Sequence, residues 1–389
     1  MKLKEYIEAE KEYIISLGRY FHRNPEPSLK EYNTALKIEQ ELDSLQIEHK
    51  RVGETGVLGI IKGRIDSNKR IVLRADIDGL MIEDLKIEEY ASEKEGLMHS
   101  CGHDGHTAAL LGAAKILKAK EYLLAGEIYL FFQQGEEIGQ GARVFIKEGH
   151  LKDVNRVFGI HVSSDIEVGK VSITKGTTNA SCDYFKIIVH GESAHVSEPQ
   201  MGIDALYISS KIVTNLQTIV SRQSSPFDPT VVGIGVLRAG TAYNIIASEA
   251  ILEGTTRTFS IENRKRVNES VVKIAKNTAA AFGAEAEIIF EECASPLVND
   301  EIVCDEVYKV ANEILGKEGI ITNRQKSLGS DDFAEYLLAV PGMYAFVGTA
   351  NKDNPNTLQP HHCGLFDIDE DGILLAANLY VDYAIQQLQ

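Results

Sequence analysis

The chain contains no run approaching the roughly 18 consecutive apolar residues that a membrane-spanning helix needs. It is also short of positive charge: 40 Lys and Arg stand against 57 Asp and Glu, a formal net charge of −17. Nucleic-acid binding is thereby excluded, because phosphate contacts need a basic face, and attachment to anionic membranes is disfavoured. The acidity is spread along the chain, which marks solvated surface rather than an acidic tail. Cysteine is sparse and odd in number: Cys101, Cys182, Cys293, Cys304 and Cys363 are scattered and suggest no disulfide framework. Each thiol is left free, buried or available to a metal. The N-terminal stretch MKLKEYIEAEKEYIISLGRYF lacks the continuous apolar region of a signal peptide, so a cytoplasmic protein is expected. Neither a 20–50-residue repeat nor a low-complexity segment is present.

What is present is a soluble globular composition, 44% hydrophobic and 25% charged over 389 residues, long enough for two or three domains. The densest chemistry is Met98-His99-Ser100-Cys101-Gly102-His103-Asp104-Gly105-His106, followed at once by the Ala/Leu-rich run Thr107 to Lys118, which has helical spacing. Residues two apart in an extended segment face the same way, so the Cys101 thiolate and His103 imidazole are expected to reach one metal ion.

In chain order, the pattern predicts a helix over 2–22, stopped by Asn24-Pro25, and another from Lys30 to Leu45. Short strands follow, ending with Arg70 to Ala75. That strand leads into Asp76-Ile77-Asp78, a position that suits either a turn or a site. A strand at Glu127 to Gln133 runs into Gly135-Glu136-Glu137, and one at Arg156 to Ile160 into His161. Three consecutive strands are thus expected to end in acidic or imidazole side chains. From Ser181 the order reads β-α-β-β-α-β, the split ferredoxin-like unit. The prediction is an α/β protein: a mixed-sheet domain over 1–180 and 295–389, interrupted by an inserted ferredoxin-like domain over 181–294.

The candidate ligands are Cys101, His103, His161 and His362 on the soft side and Glu136, Glu137, Asp76 and Asp78 on the hard side. A catalytic zinc usually keeps about three protein ligands and an open position. Five or more convergent ligands suit a pair of ions that share a bridging hydroxide. Such a centre still needs a general base, and one of two adjacent glutamates can serve while its neighbour binds metal. Mixed S, N and O ligation leaves Zn, Mn, Co and Ni open.

These residues resemble the M20 metallopeptidases, within them the aminoacylase/amidohydrolase subgroup that includes indole-acetyl-amino-acid hydrolases, hippurate hydrolases and N-acetyl-diaminopimelate deacetylases. The resemblance covers nearly the whole chain. It rests on His22 to Glu26 (H-x-x-P-E), Leu73 to Leu80 (R-A-D-x-D-A-L), His99 to His106 (H-x-C-G-H-D-x-H), Gln133 to Glu137 (Q-P-A-E-E), Gly159 to His161, Gly329 to Phe333 (G-x-E-D-F) and His362 to Phe366. It implies metal ligands Cys101, His103, Glu137, His161 and His362, Glu136 as general base, and Asp76 as a support behind the ligands. In the inserted domain Gly191 to Asp204, Ala242 to Ile246 and Glu253 to Arg257 also match. They imply His195 and Asn244 as oxyanion donors and Arg257 as a carboxylate fork. In that family the inserted domain closes over the site and forms dimers. Three departures stand out: Gln134-Gly135 for Pro-Ala, Gly79-Leu80-Met81 for Ala-Leu-Pro, and Asp331 for Glu. None removes a ligand or the base.

The resemblance therefore implies a metal-dependent amidohydrolase. It would cleave N-acyl, above all N-acetyl, amino acids with a dinuclear-metal-bound hydroxide and the Glu136 base. The cofactor is two divalent metal ions, the partners a small N-acyl amino acid or short peptide, with no nucleic acid and no membrane, and the assembly a homodimer or homotetramer. The alternative is a di- or aminopeptidase on the same metal centre.

Overall fold

The computed structural model describes residues 3–389. It comprises two compact units. One is formed by the chain up to Thr178 with Val298–Gln325 and Asp331–Gln389, the other by Asn179–Leu297 with Lys326–Ser330. Among the described residues no helix is long and apolar enough to cross a membrane.

The first unit begins with helices α1 (Leu3–Ala9), α2 (Lys11–Arg23) and α3 (Tyr32–Ser44). Two helices stand where the pattern over 2–22 predicts one. The backbone turns at Glu10 (φ −103°, ψ 6°), whose carboxylate pairs with Lys115 Nζ at 2.6 Å. Lys2 of the predicted helix lies outside the described residues. Next come β1 (Glu48–Val52), β2 (Gly56–Lys62), β3 (Ile65–Asp76), α4 (His103–Ala119), β4 (Ala125–Gln133), α5 (Gly141–Lys147), β5 (Arg156–Glu167), β6 (Val171–Ser172) and β7 (Gly176–Asn179).

The second unit follows with β8 (Cys182–His190), α6 (Ala205–Thr218), β9 (Val231–Ala239), β10 (Glu249–Arg257), α7 (Ile261–Ala281) and β11 (Glu285–Ala294). Its strands form one antiparallel sheet in the order β11-β8-β10-β9. Every second residue of β8 is buried, the alternation of a sheet with one covered face. Asp204 caps α6 by accepting from the amides of Leu206 and Tyr207, and Ser260 caps α7, each cap contributing about 1 kcal/mol.

The chain then adds β12 (Leu297–Asn299), α8 (Glu301–Leu315), β13 (Ile320–Ile321), α9 (Phe333–Ala339), β14 (Gly342–Ala350) and α10 (Glu370–Leu388). The eight-stranded sheet of the first unit has the order β1-β2-β4-β3-β5-β14-β6-β13. At its centre β3 runs parallel to β4 and β5, and β14 parallel to β5. All residues of β14 but the last are buried, as in parallel strands covered on both faces. Helix α4 packs against α2 and α10. The approach to α2 is so close that a Cβ on Gly112 would stand 2.5 Å from Ile14 Cγ1. Only glycine fits there.

Candidate metal centre

Strands β3 and β4 end level with each other, with Asp76 paired to Gln133. Beyond Gln133 the chain bends at Gly135, whose φ of +61° falls in the left-handed region that favours glycine. That bend turns Glu136 and Glu137 back toward Asp76 and Asp78. The Glu137 amide donates to Asp78 Oδ2 at 3.0 Å, and the Ser28 hydroxyl donates to the same oxygen at 2.7 Å.

Cys101 and His103 do not share one extended segment. Gly102 between them adopts φ +89°, and His103 is the first residue of α4. A Cβ at Gly102 would lie 2.3 Å from Val162 Cγ2, so the kink and the close approach both require glycine. The consequence is that thiol and imidazole converge by a turn of the chain rather than by strand alternation. His161 also differs from expectation. It sits inside β5, which runs on to Glu167 because the parallel pairing with β14 continues through His161↔Phe346 to Gly348. Asp76 ends β3 as expected.

The side chains form five groups, and within each the ligand atoms lie within 4.8 Å of one another. Cys101, His103 and His161 form one, and Cys101, Glu137 and His362 another. His103 with Glu136 and Glu137, Asp76 with His103 and His106, and Glu136 with Asp331 and Asp332 complete the set. Cys101 Sγ is common to the first two. It lies 3.5 Å from His161 Nε2, and His362 Nε2 lies 3.5 Å from Glu137 Oε2. The imidazoles are oriented by their other nitrogens. His103 Nδ1 donates to the Asp78 carbonyl at 2.9 Å and His161 Nδ1 to the Val162 carbonyl at 2.6 Å. Nε2 is thereby the ring nitrogen that each has left to offer a cation beside the thiol.

The donor set fits a divalent cation on a further observation. His103 Nε2 and Glu137 Oε1 are buried without a hydrogen-bond partner. Two orphaned buried polar atoms each carry a desolvation cost of about 1–3 kcal/mol, which a cation at the convergence point would relieve. Electrostatics agree. Burial, and then the carboxylates of Glu137 and Glu136, push the Cys101 thiol well above its usual range. Burial opposes a charge on His103, but Asp76 and Asp78 overcome it and raise its pKa to about 10. Burial raises Glu137 to about 7 although His103 pulls the other way. Glu136 is driven well above the carboxylate range by burial, then by Asp331 and Glu137. So much unbalanced negative charge in one buried place is the environment that a metal ion inverts.

Behind these groups lies a layer that sequence patterning missed. His106 Nδ1 donates to Asp76 Oδ1 at 2.6 Å, while His106 Nε2 accepts from the Val162 amide at 2.9 Å. Both ring nitrogens are used, so His106 is a brace rather than a ligand. Fully buried Arg74 donates to Asp76 Oδ2 at 2.5 Å and to Gln133 at 2.9 Å, and reaches Asp332 at 3.2 Å. Tyr344 holds Asp331 at 2.6 Å. On the other flank His22 Nδ1 meets Asp104 at 2.6 Å, and Lys86 Nζ lies 2.6 Å from His22 Nε2. His361 Nδ1 stands 3.6 Å from Cys101 Sγ. The His361-His362 doublet was the available signal for it.

The remaining three expected site residues lie in the second unit. His195 and Asn244 are neighbours: the Val196 amide donates to the Asn244 carbonyl at 3.2 Å, and His195 bridges to Ile245. His195 Nδ1 accepts from the Ser197 amide at 3.1 Å, which leaves Nε2–H to donate outward. Arg257 is not with them. It ends β10, whereas Asn244 precedes the start of that strand, and His190 at the close of β8 pairs with Glu249 at that start. The two sets therefore flank opposite ends of a strand roughly 25 Å long at about 3.3 Å per residue.

A family model described as Peptidase family M20/M25/M40 matches residues 72–386. Thermostable carboxypeptidase 2 of Saccharolobus solfataricus is 37% identical, with 99% of this chain and 98% of that protein covered. N-acetylcysteine deacetylase of Bacillus subtilis is 35% identical, with 97% of each covered. A solved Bacillus subtilis structure described as a dinuclear metal binding peptidase from the M20 family superposes with a TM-score of 0.84 at 33% identity, covering 97% of this chain and 98% of that one.

Proposed function

The chain belongs to peptidase family M20/M25/M40, and from that premise we propose that it is a hydrolase cleaving the amide bond of N-acyl amino acids, releasing a carboxylate and a free amino acid. The observation that carries this reading is the pair of ligand groups sharing Cys101, beside a Glu136 carboxyl raised by burial, in a chain related to a deacetylase over nearly its whole length.

Two divalent ions would be held by Cys101, His103 and His161 on one side and by Cys101, Glu137 and His362 on the other, the thiolate being common to both. Bound there, they would supply Lewis-acid polarisation of the acyl carbonyl and acidify water at neutral pH. Glu136 takes up the proton from the attacking water on a carboxylate oxygen and returns it to the nitrogen of the departing amine. Asp76 and His106 keep His103 and β5 in place. His195 Nε2–H and the Asn244 amide donate to the oxygen that gains charge, and Arg257 offers two parallel N–H bonds to the amino-acid carboxylate.

An N-acyl amino acid spans only about 10 Å, from the roughly 3.5 Å reach of each chain-like unit. One copy of the inserted unit cannot place both ends of β10 on it. Two copies can, which supports a homodimer in which different copies supply the two sets. Net acidity and free thiols fit the cytoplasm.

The test is hydrolysis of N-acetyl, N-benzoyl and indole-acetyl amino acids against dipeptides. Protein is stripped by chelator and reloaded singly with Zn, Mn, Co or Ni under reducing conditions. Metal-dependent release from the acylated set establishes the reading. Cleavage of dipeptides alone establishes the second reading, a peptidase, which the similarity to a carboxypeptidase favours.

A further inference from the structure

The second unit holds two cysteines that the hydrolysis does not use. In the β8/β11 ladder Glu292 pairs with Asp183 and Ala294 with Cys182. Cys293 is the extra residue of a bulge, opposite the Cys182 position. Ala294, the residue after Cys293, is the one paired with Cys182, at the roughly 4.5–5.5 Å of antiparallel Cα pairs; the bulge sets Cys293 directly beside that pair, in the neighbourhood that a disulfide spans at about 4.4–6.8 Å. Cys182 interacts electrostatically with Cys293, the Arg257 guanidinium and the Ser330 hydroxyl, and the Cys293 thiol donates to the Glu291 carbonyl at 3.8 Å. Both cysteines are free and half-buried.

We propose that Cys182 and Cys293 are a peroxide-reactive thiol pair that closes to a disulfide across the β8/β11 bulge. The Cys182 thiolate attacks the peroxide O–O bond, giving Cys182 sulfenic acid and, with one proton, water. The Cys293 thiol then displaces hydroxide from that sulfur, forming the S–S bond; its proton leaves with the hydroxide as a second water. Two thiols are oxidised by two electrons and one peroxide is reduced. The surroundings separate this pair from the other cysteines. Interaction with Cys293, then with Arg257 and Ser330, holds Cys182 down to about 5 against burial, whereas burial raises Cys304 to about 12. A low thiol beside a cation, with a second thiol in reach, is the arrangement of a redox-active cysteine. Closure also removes the thiolate that faces Arg257, so the guanidinium keeps its charge and loses that counter-charge. The chemistry stands whether or not amide hydrolysis is the reaction.

The test is peptide mapping on the full, metal-loaded, reduced chain. In a short iodoacetamide pulse at pH 6, Cys182 is expected to label roughly tenfold faster than Cys304. One equivalent of hydrogen peroxide is expected to remove two titratable thiols and yield a Cys182–Cys293 linked peptide that dithiothreitol reverses. In Cys293→Ser the reaction is expected to stop at Cys182 sulfenic acid, trapped by dimedone. Two thiols that both remain alkylatable after peroxide, or a disulfide joining other cysteines, overturn the proposal. The wild-type mapping decides even if the variant does not fold.

Discussion

Arg74 Nη1 lies 2.5 Å from Asp76 Oδ2, and neither side chain has any exposed surface. This pair ties the last residue of β3 to the acidic layer behind the candidate metal centre. Asp331 and Asp332 also lie within 3.4 Å of the guanidinium. Removing one partner of a buried ionic network leaves uncompensated charge and costs about 3–5 kcal/mol. Arg74→Met is expected to lower stability by that amount in urea unfolding, and to lower metal content in the same preparation. A midpoint equal to wild type would show that the three carboxylates are neutral without the arginine.

Glu136→Gln keeps the shape of the side chain and removes its proton chemistry. Turnover of the best acylated substrate is expected to fall by roughly 10²-fold or more, with metal content by elemental analysis unchanged. Wild-type turnover would end the general-base role.

Cys101 belongs to two ligand groups. Cys101→Ser is therefore expected to reduce bound metal by more than one ion per chain, whereas His362→Ala, which touches one group, should reduce it by about one. Equal losses in the two variants would contradict a shared thiolate.

Metal removal should be visible as stability. A ligand that binds only the folded chain at 100 times its Kd adds about 2.7 kcal/mol. Excess chelator is expected to lower the melting temperature by several degrees and abolish turnover together, and reloading should restore both. Loss of activity without any change in melting would mean that the acidic cluster is stable without cations.

Asp382 on α10 gives a pH signature away from the site. Burial, and then Glu313, raise its pKa from 3.8 to about 6, and its Oδ1 is buried without a partner. Below about pH 4 both folded and unfolded states hold the proton and nothing is lost. Between pH 4 and 6 the folded state keeps a proton that the unfolded state has released, so stability falls as pH rises, and above 6 the cost is complete. With partial exposure discounted, that cost is about 1 kcal/mol. Asp382→Asn is expected to raise the melting temperature by about 2 °C at pH 8 and to leave it unchanged at pH 4.

The candidate ligands were legible because they are concentrated in contiguous motifs: His99 to His106, Glu136-Glu137, and His362 beside Cys363-Gly364. What escaped depends on pairing across the chain. Arg74 reads as one polar residue in an apolar strand, and only the arrival of Asp331 and Asp332 from 257 and 258 residues away makes it the hub of a network. The left-handed Gly102 replaced strand alternation as the cause of convergence, because a kink favouring glycine leaves no periodic trace. His161 was placed at a strand end since apolarity stops there, yet the register with β14 carries β5 onward. The bulge that sets Cys293 against Cys182 lies in a ladder register, which is not a local property of either segment.

The hydrogen bond from the Val162 amide to His106 Nε2 has a spectroscopic consequence. A backbone N–H that donates to a ring nitrogen joins two nitrogen nuclei through one proton, and its amide resonance responds directly to the state of that imidazole. Val162 sits in a central strand flanked on both sides, where solvent exchange is slow. One amide of the core sheet therefore works as an internal gauge of the Asp76–His106 brace, readable in the intact enzyme without label or substrate analogue.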